Sequence, residues 1–412
     1  MPTAHQAGSR GYRRVTAALY GAGLASFAAM YCTQALLPAL STYYRITPAT
    51  AALAVSVTTG MLALSVVPAS VLSERYGRIA VILTSGVVSS VIGLLLPFSP
   101  SLGVLLAGRA LQGVALAGIP AVAMALLAEE IHASSLGSAM GRYIAGTTVG
   151  GLAGRIVPAL VVDVSNWRVA LLVCAMVTLA GTVVFAVAVP RAQFFSPKAA
   201  SARGTARNLA VHLRNPMLLK LFALGFALMG GFVTVYNYLG YRLIAQPFGL
   251  ASSVVGLLFV LYLAGTWTSV VAGRLADRRG RAFVLGGALP ITVGGLLLTI
   301  PHALASIVLG VGLFTGGFFA AHTVASGWVG AVAHRHRAEA SALYLFSYYL
   351  GGSLAGVFGG VVYAAGGWPA TAWFVGALLA AAALLVALLV REPPLGQAPN
   401  NWVIFETSCQ TP

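Results

Sequence analysis

Two stretches of this chain, residues 282–334 and 340–390, contain no Asp, Glu, Lys or Arg. Shorter uncharged runs cover 15–44, 46–73, 79–108, 110–128, 169–190, 221–241 and 243–273. A helix that crosses the hydrocarbon core of a bilayer needs about 20 apolar residues, so each long run can cross twice and the others once. Backbone N–H and C=O groups find no water in lipid, and a helix is what satisfies them within one segment. Charged residues make up 8% of the sequence and hydrophobic ones 59%. Soluble domains carry about 25% charged residues, so a water-soluble fold is excluded.

Turn chemistry divides the long runs. "TIPHA" (299–303) and "AGGWPA" (365–370) each hold a proline that restricts the residue before it and ends a helix. Twelve spans result, near 15–40, 48–70, 79–97, 104–128, 138–161, 168–189, 217–243, 251–273, 282–300, 304–328, 338–362 and 370–390. The first follows a polar, basic tail and precedes eleven others, so it reads as an anchor and not as a cleaved signal peptide.

The net charge of +16 resembles a nucleic-acid signature until its location is considered. If the N-terminus is inside, the inner segments hold nineteen basic residues, from Arg10, Arg13 and Arg14 through Lys198 to Arg391, and the outer segments only Arg45, Arg168 and Arg242. That asymmetry follows the positive-inside rule and predicts both termini in the cytoplasm. The basicity reports topology and contact with membrane lipid; nucleic acid is not implied. Cys32 and Cys174 fall inside spans and Cys409 in the tail, which argues against a disulfide framework, and no pair has metal-ligand spacing.

The chain also repeats itself. "SVLSERYGR" (70–78) follows span 2 and "GRLADRRGR" (273–281) follows span 8, which sets Gly77 and Gly280 203 positions apart. "GGLAG" (150–154) recurs as "GSLAG" (352–356), and Trp167 as Trp368. The expected architecture is all-α, with twelve transmembrane helices in two pseudo-symmetric six-helix bundles related by an axis along the membrane normal. The bundles are residues 1–190 and 216–412, the second with a cytoplasmic tail; the basic segment 191–215 is a cytoplasmic linker ending in a short amphipathic helix.

The doubled Gly-x-Leu-x-Asp-x-x-Gly-Arg loop resembles motif A of the major facilitator superfamily. "RALQG" (109–113) is similar to that family's helix 4 motif, and "MYCTQALLPAL" and "RYIAGTTVGGLAGRIVP" resemble its arabinose-efflux-permease-like, drug:proton-antiporter-like branch. The resemblance spans essentially the whole chain. It departs at Ser70 and Glu74, where the family has Gly and Asp, and in helix 5, which lacks the Gly-Pro pair of the antiporter signature. It implies a cytoplasmic gate built from Glu74, Arg75, Gly77 and Arg78 with Asp277, Arg278, Gly280 and Arg281. Each carboxylate would face the positive end of a helix in the other bundle, an attraction of about 0.3–1 kcal/mol. Arg78 can also pair with Glu129 or Glu130. The plainer alternative is that these charges only fix topology.

Gly146, Gly150 and Gly154 on span 5, and Gly352, Gly356 and Gly360 on span 11, recur every four residues, a spacing that lets helices approach closely. Arg109 and Arg155 each occur in one half only; shifted by the repeat they fall on Gly312 and Val357. The shared fold therefore requires neither. An Arg at bilayer depth costs about 2.5–3.5 kcal/mol, so each should face an interior or a wet cavity. The resemblance gives Arg109 a part in proton movement; the alternative is hydrogen bonding to interior carbonyls. For Arg155 the choice is a substrate contact or an ion pair with Asp163, two turns further out.

All eight acids, Glu74, Glu129, Glu130, Asp163, Asp277, Glu339, Glu392 and Glu406, fall at span ends or in tails. A cavity with two arginines and no midplane acid should prefer an anion or a polar neutral solute to a lipophilic cation. His322 is the one ionisable side chain well inside the second bundle, and histidine's ordinary pKa of about 6.5 suits proton exchange; a hydrogen bond within the bundle is the other reading. Tyr31, Gln34, Gln112, Tyr236, Asn237 and Tyr348 complete the expected cavity.

The expected function is proton-coupled efflux of a small polar or anionic organic solute by alternating access, carried out by a monomer without cofactor or metal. No nucleotide-binding Gly-rich Lys-Ser/Thr loop occurs. Uptake or exchange of organic anions is the first rival. A membrane-embedded enzyme such as an acyl transferase is the second, but no Ser, His and carboxylate cluster converges at one membrane face. A channel would not need the duplicated loops.

Overall fold

The computed structural model describes residues 4–192, 195, 202–333 and 335–391. Lys198 in the linker and the tail with Glu392, Glu406 and Cys409 lie outside the described residues. The spans are α1 (Arg10–Tyr44), α2 (Pro48–Tyr76), α3 (Arg78–Phe98), α4 (Leu102–Glu130), α5 (Ala133–Val164) and α6 (Trp167–Ala188). They continue as α7 (Pro216–Ile244), α8 (Ser252–Arg279), α9 (Arg281–Leu298) and α10 (Leu304–Val332). The last helix, Arg337–Val390, breaks at Gly366 and Gly367, where φ is −146° and 60°, and so supplies α11 (337–365) and α12 (368–390). A separate helix, Ala202–Leu213, forms the end of the linker as expected. The spans alternate in direction. One end of the molecule, the near face, holds Arg10, the linker helix and Arg391; the other, the far face, holds the α1–α2, α5–α6 and α7–α8 turns.

Side chains that compete with helix interiors start these helices. The Thr47, Ser101 and Asn166 side chains accept from the N–H groups of Thr50, Val104, and Arg168 with Val169, and Asn215 caps Met217 and Leu218 with Pro216 at the first helical position. The motif loops are near-face hairpins. Gly77 (φ 96°) and Gly280 (φ 87°) cap α2 and α8 in a conformation that favours glycine, and α3 and α9 start at the very next residue. The repeated glycine therefore sets a tight turn.

Lipid-facing positions carry large apolar side chains, among them Leu64, Leu95, Trp267, Leu297, Phe358 and Trp373. Inside, one buried cluster draws almost wholly on α7–α12, and two others largely on α1–α6. In the first bundle, Cβ atoms added at Gly146, Gly150 and Gly154 would collide with the backbone carbonyls of Tyr20, Leu24 and Ala28, so α5 packs on α1 at backbone contact. In the second bundle the expected stripe is displaced by one residue. Gly351, not Gly352, lies against the Phe226 carbonyl of α7, the Ser347 hydroxyl donates to the Phe222 carbonyl at 2.9 Å, and Gly360 faces Tyr238 and Ala49. The packing repeat between α5 and α11 is thus 201 positions, like that of the tryptophans. The match of "GGLAG" to "GSLAG" is one residue out of register, about 100° around the helix.

The bundles are joined by hydrogen bonds in the far half. Gln34 Nε2 donates to Asn237 Oδ1 (2.8 Å), the Ser41 and Tyr241 hydroxyls lie 2.6 Å apart, and Ser353 Oγ donates to the Ser56 carbonyl at 2.7 Å. At the far rim Gly256 of α8 packs on Ala159 of α5.

Candidate functional site

The glycine face of α5 is held on α1, and Arg155, one residue past Gly154, points into the seam between the bundles. Its guanidinium carbon lies 3.7 Å from the ring centre of Tyr31 on α1, and 4.7 and 5.3 Å from those of Tyr262 and Phe259 on α8. Nε donates to Gln34 Oε1 at 2.6 Å and Nη1 to the Gly151 carbonyl at 2.8 Å. Gln34 then bonds Asn237, so a polar chain runs from α5 through α1 to α7. Arg155 is 3% exposed and Asn237 1%.

Asp163 does not pair with Arg155. Its two oxygens accept from the backbone N–H groups of Ser252 and Ser253, at 3.1 and 2.7 Å, where α8 begins. Those N–H groups lack helical partners and carry the positive end of the helix dipole, which outcompetes an arginine two turns away. Arg155 therefore has no carboxylate partner among the described residues. Two more polar atoms of this layer, Asn237 Nδ2 and Tyr262 Oη, are buried with no hydrogen-bond partner. Unmet groups of this kind in a low-dielectric interior cost free energy until something binds them. Tyr236, also expected here, stacks on Phe259 at 5.3 Å and bonds the Thr315 hydroxyl at 2.7 Å.

A second layer lies toward the near face. One turn along α7 from Tyr236, Phe232 stacks on Phe318 of α10 with ring centres 3.9 Å apart. One turn further along α10, His322 Nδ1 lies 2.9 Å from the Tyr344 hydroxyl, and its ring is 4.5 Å from that of Tyr348. His322, Tyr348, Phe319, Tyr262 and Phe27 are half-buried. Seven expected cavity residues thus form two adjoining layers: Tyr31, Gln34, Arg155, Tyr236 and Asn237, then His322 and Tyr348.

Arg109 and Gln112 do not line this cavity. Arg109 is fully buried within the first bundle, where it donates to the carbonyls of Ala54 (2.9 Å), Ala29 (2.8 Å) and Met30 (2.7 Å), to Gln112 Oε1 (2.5 Å) and to Cys32 Sγ (3.4 Å). Gln112 Nε2 continues to the Ser89 carbonyl at 3.0 Å. One planar fork ties α1, α2 and α4 together and Gln112 adds α3, so the interior-carbonyl alternative holds.

In the gate loops Arg78 pairs with Glu129 at 3.0 Å and donates to Ser73 Oγ at 2.5 Å. Asp277, Arg278 and Gly280 are exposed, and neither Glu74 nor Asp277 meets a helix end of the other bundle among the described residues.

The sequence reading missed Phe259, Tyr262 and Tyr344. The test that singled out Arg155, occurrence in one half only, would have found the first two. The positions 203 earlier, Ser56 and Thr59, are small and hydroxylated.

Two six-helix bundles around a polar and aromatic seam, closed at one face, define a multi-pass membrane transporter. The chain belongs to the major facilitator superfamily: residues 19–243 and 221–403 match the Major Facilitator Superfamily profile. It is 42% identical over 385 residues to the "Inner membrane transport protein YnfM" of Escherichia coli (strain K12), covering 93% of this chain and 92% of that protein. It is 39% identical over 390 residues to the "Uncharacterized MFS-type transporter YybF" of Bacillus subtilis (strain 168), covering 95% and 96%. The crystal structure of a bacterial homologue of the human lysosomal transporter Spinster, inward-facing and occupied, shares the fold with a TM-score of 0.69 at 14% identity, over 93% of this chain and 96% of that one. The family and these relatives are transporters, which sets aside the membrane-enzyme alternative.

Proposed function

We propose that this protein is a monomeric, proton-coupled exporter of a small polar or anionic organic solute in the inner membrane, with both termini cytoplasmic. One observation carries the solute class: a buried arginine at the seam of the two bundles, with no acid beside it among the described residues and with the unpartnered groups of Asn237 and Tyr262 next to it. A lipophilic cation would meet the Arg155 charge there with no carboxylate to balance its own. The basic near face supports a cytoplasmic position for the termini, and the name of the E. coli relative supports the inner membrane.

On this reading the far-half latch closes the periplasmic side, and solute enters from the cytoplasm at the near face. It settles against Arg155, the bundles rock, the motif loops close behind it and the far rim opens. His322, half-buried beside Tyr348 and bonded to Tyr344, is the proton-exchanging group. A single copy encloses the whole site, so no second subunit is required.

The test is transport in proteoliposomes with an imposed pH gradient of either sign, screened over carboxylates, neutral polar solutes and ethidium. Movement of an acidic or polar solute against the proton flux is expected, with coupling lost in His322→Gln. Strong gradient-driven ethidium efflux would sink the solute class, co-movement of solute and protons would reverse the direction, and intact coupling in His322→Gln would remove that residue from the relay.

A further inference from the structure

The seam holds many more aromatic rings than an anion site needs. Tyr31, Phe259 and Tyr262 surround the Arg155 guanidinium, and Tyr236 stacks on Phe259. The rings do not end there. Tyr262 meets Phe232 edge-on at 5.3 Å and Phe319 at 5.8 Å, and Phe318 stands beside Phe319 at 5.3 Å and an interplanar angle of 87°. His322 and Tyr348 close the row on the near side. From Tyr236 to Phe232 on α7 and from Phe318 to His322 on α10 is one helical turn each, so the two steps span about 11 Å along the seam.

Stacked rings packed into one another form a core, as Phe232 and Phe318 do at 3.9 Å. Half-buried rings arranged edge to face around an opening offer a flat guest the contacts that aromatic pairs prefer. Tyr262 and Phe319, half-buried and edge to face at 5.8 Å and 73°, are of that second kind, and half-buried Tyr348 stands beyond them, 4.5 Å from His322. The three stand between His322 and the charged end of the seam, where among the described residues Arg155 has no acid and Asn237 Nδ2 and Tyr262 Oη have no partner.

We propose that the substrate is an aromatic monocarboxylate. Its carboxylate is held by Arg155 beside Asn237 Nδ2 and Tyr262 Oη, and its ring lies against Tyr262, Phe319 and Tyr348 on the near side. This rests on the anionic reading above and narrows it. The site has one cationic anchor and ends about 11 Å away at a histidine, which fits a single carboxylate on a one-ring skeleton. The planar guanidinium stacked on Tyr31 gives Nε to Gln34 and an Nη1 N–H to Gly151, and its Nη2 N–H groups, held in that plane, are the ones left for a carboxylate, a fixed geometry that an ammonium cannot match.

The experiment is equilibrium binding of radiolabelled benzoate to the purified full-length protein in detergent. Cyclohexanecarboxylate, benzyl alcohol and benzylamine serve as competitors. Saturable benzoate binding is expected, with cyclohexanecarboxylate about ten-fold weaker, the scale of an aromatic contact, and no competition from the alcohol or the amine. Arg155→Gln should abolish binding and Arg155→Lys leave a weak remnant. Tyr348→Leu, which leaves the anchor intact and guards against misfolding of the Arg155 variants, should weaken benzoate but not cyclohexanecarboxylate. Equal affinity for the two acids overturns the aromatic proposal and leaves the anionic reading standing. Competition by benzylamine as strong as by benzoate overturns both, and so does the absence of saturable binding by either acid.

Discussion

Asp163 holds the far face shut, and removing it should open that face by a calculable amount. Its carboxylate accepts two backbone N–H groups at the start of α8 and thereby ties the end of α5 in one bundle to α8 in the other. A side chain capping a helix start contributes about 1 kcal/mol, and the charge facing the helix dipole about 0.3–1 kcal/mol more at an exposed site. Asp163→Ala should therefore cost the far-closed state about 1.5 kcal/mol, a shift of about ten-fold toward opening. The Gln34–Asn237, Ser41–Tyr241 and Ser353–Ser56 bonds remain, so the latch loosens without being lost. Asp163→Asn keeps one acceptor and should shift the equilibrium less. The assay is the distance distribution between spin labels at Thr42 and Gln246, exposed positions at the far ends of the two bundles. Cys409 is replaced, and the buried Cys32 and Cys174 are left in place. A longer-distance population should grow in the order wild type, Asn, Ala. A distribution that does not move in Asp163→Ala, while Ser353→Ala broadens it, would refute the reasoning.

Gly150→Ala should prevent α1 and α5 from meeting, because its Cβ would strike the Leu24 backbone carbonyl, and should abolish monodisperse protein on size exclusion; Gly352→Ala, whose nearest neighbours are the Met229 and Val233 side chains, should cost far less. Arg109→Met strands buried carbonyls at about 1–3 kcal/mol each, so the melting temperature should fall steeply while benzoate affinity of the surviving folded protein is unchanged. Glu129→Gln removes the charge from a partly buried pair with Arg78 but leaves an amide oxygen to accept from its Nε; melting should fall by a few degrees at most, and the larger effect should be a changed transport rate.

The fold was legible because lipid imposes rules a sequence cannot disguise. Uncharged runs must be helices, and the helix breaks came where Pro and Gly stood, at 299–303 and 366–367. Side-chain register was legible only where backbone contact left no choice. Gly150 forces its own neighbour, and so the α5 stripe was read correctly. On α11 several glycines compete for the role, and only the packed structure shows that Gly351 takes it. The fates of Arg109 and Arg155 show the same limit at the site. Both are lone arginines at depth, and sequence cannot tell an arginine that satisfies carbonyls inside a bundle from one that waits between bundles. What separates them is the direction of one helix face, which α4 turns inward and α5 turns to the seam.

The seam also shows how a duplicated fold acquires a polar site. Gln34 and Asn237 lie 203 positions apart, the spacing of Gly77 and Gly280, so the bond between them joins corresponding places of the two bundles across the pseudo-symmetry axis. At the α5–α11 packing offset of 201, Arg155 corresponds to Gly356. A Cβ on Gly356 would come within 3.3 Å of Asn237 Nδ2, so the absence of a side chain there gives Asn237 room, while its counterpart supplies a charge that bonds Gln34. Phe259 and Tyr262 in one half stand against Ser56 and Thr59 in the other in the same way. The symmetric pair bonds one bundle to the other, and on the proposed reading the asymmetric pairs set what fits between them. Restoring symmetry at one position should separate the two roles. Gly356→Ala should crowd Asn237 and lower benzoate affinity without weakening the far latch, whereas Asn237→Ala should impair both. If Gly356→Ala instead opens the far face by the spin-label measurement and leaves benzoate affinity unchanged, Asn237 serves closure alone and the site consists of Arg155 and the rings.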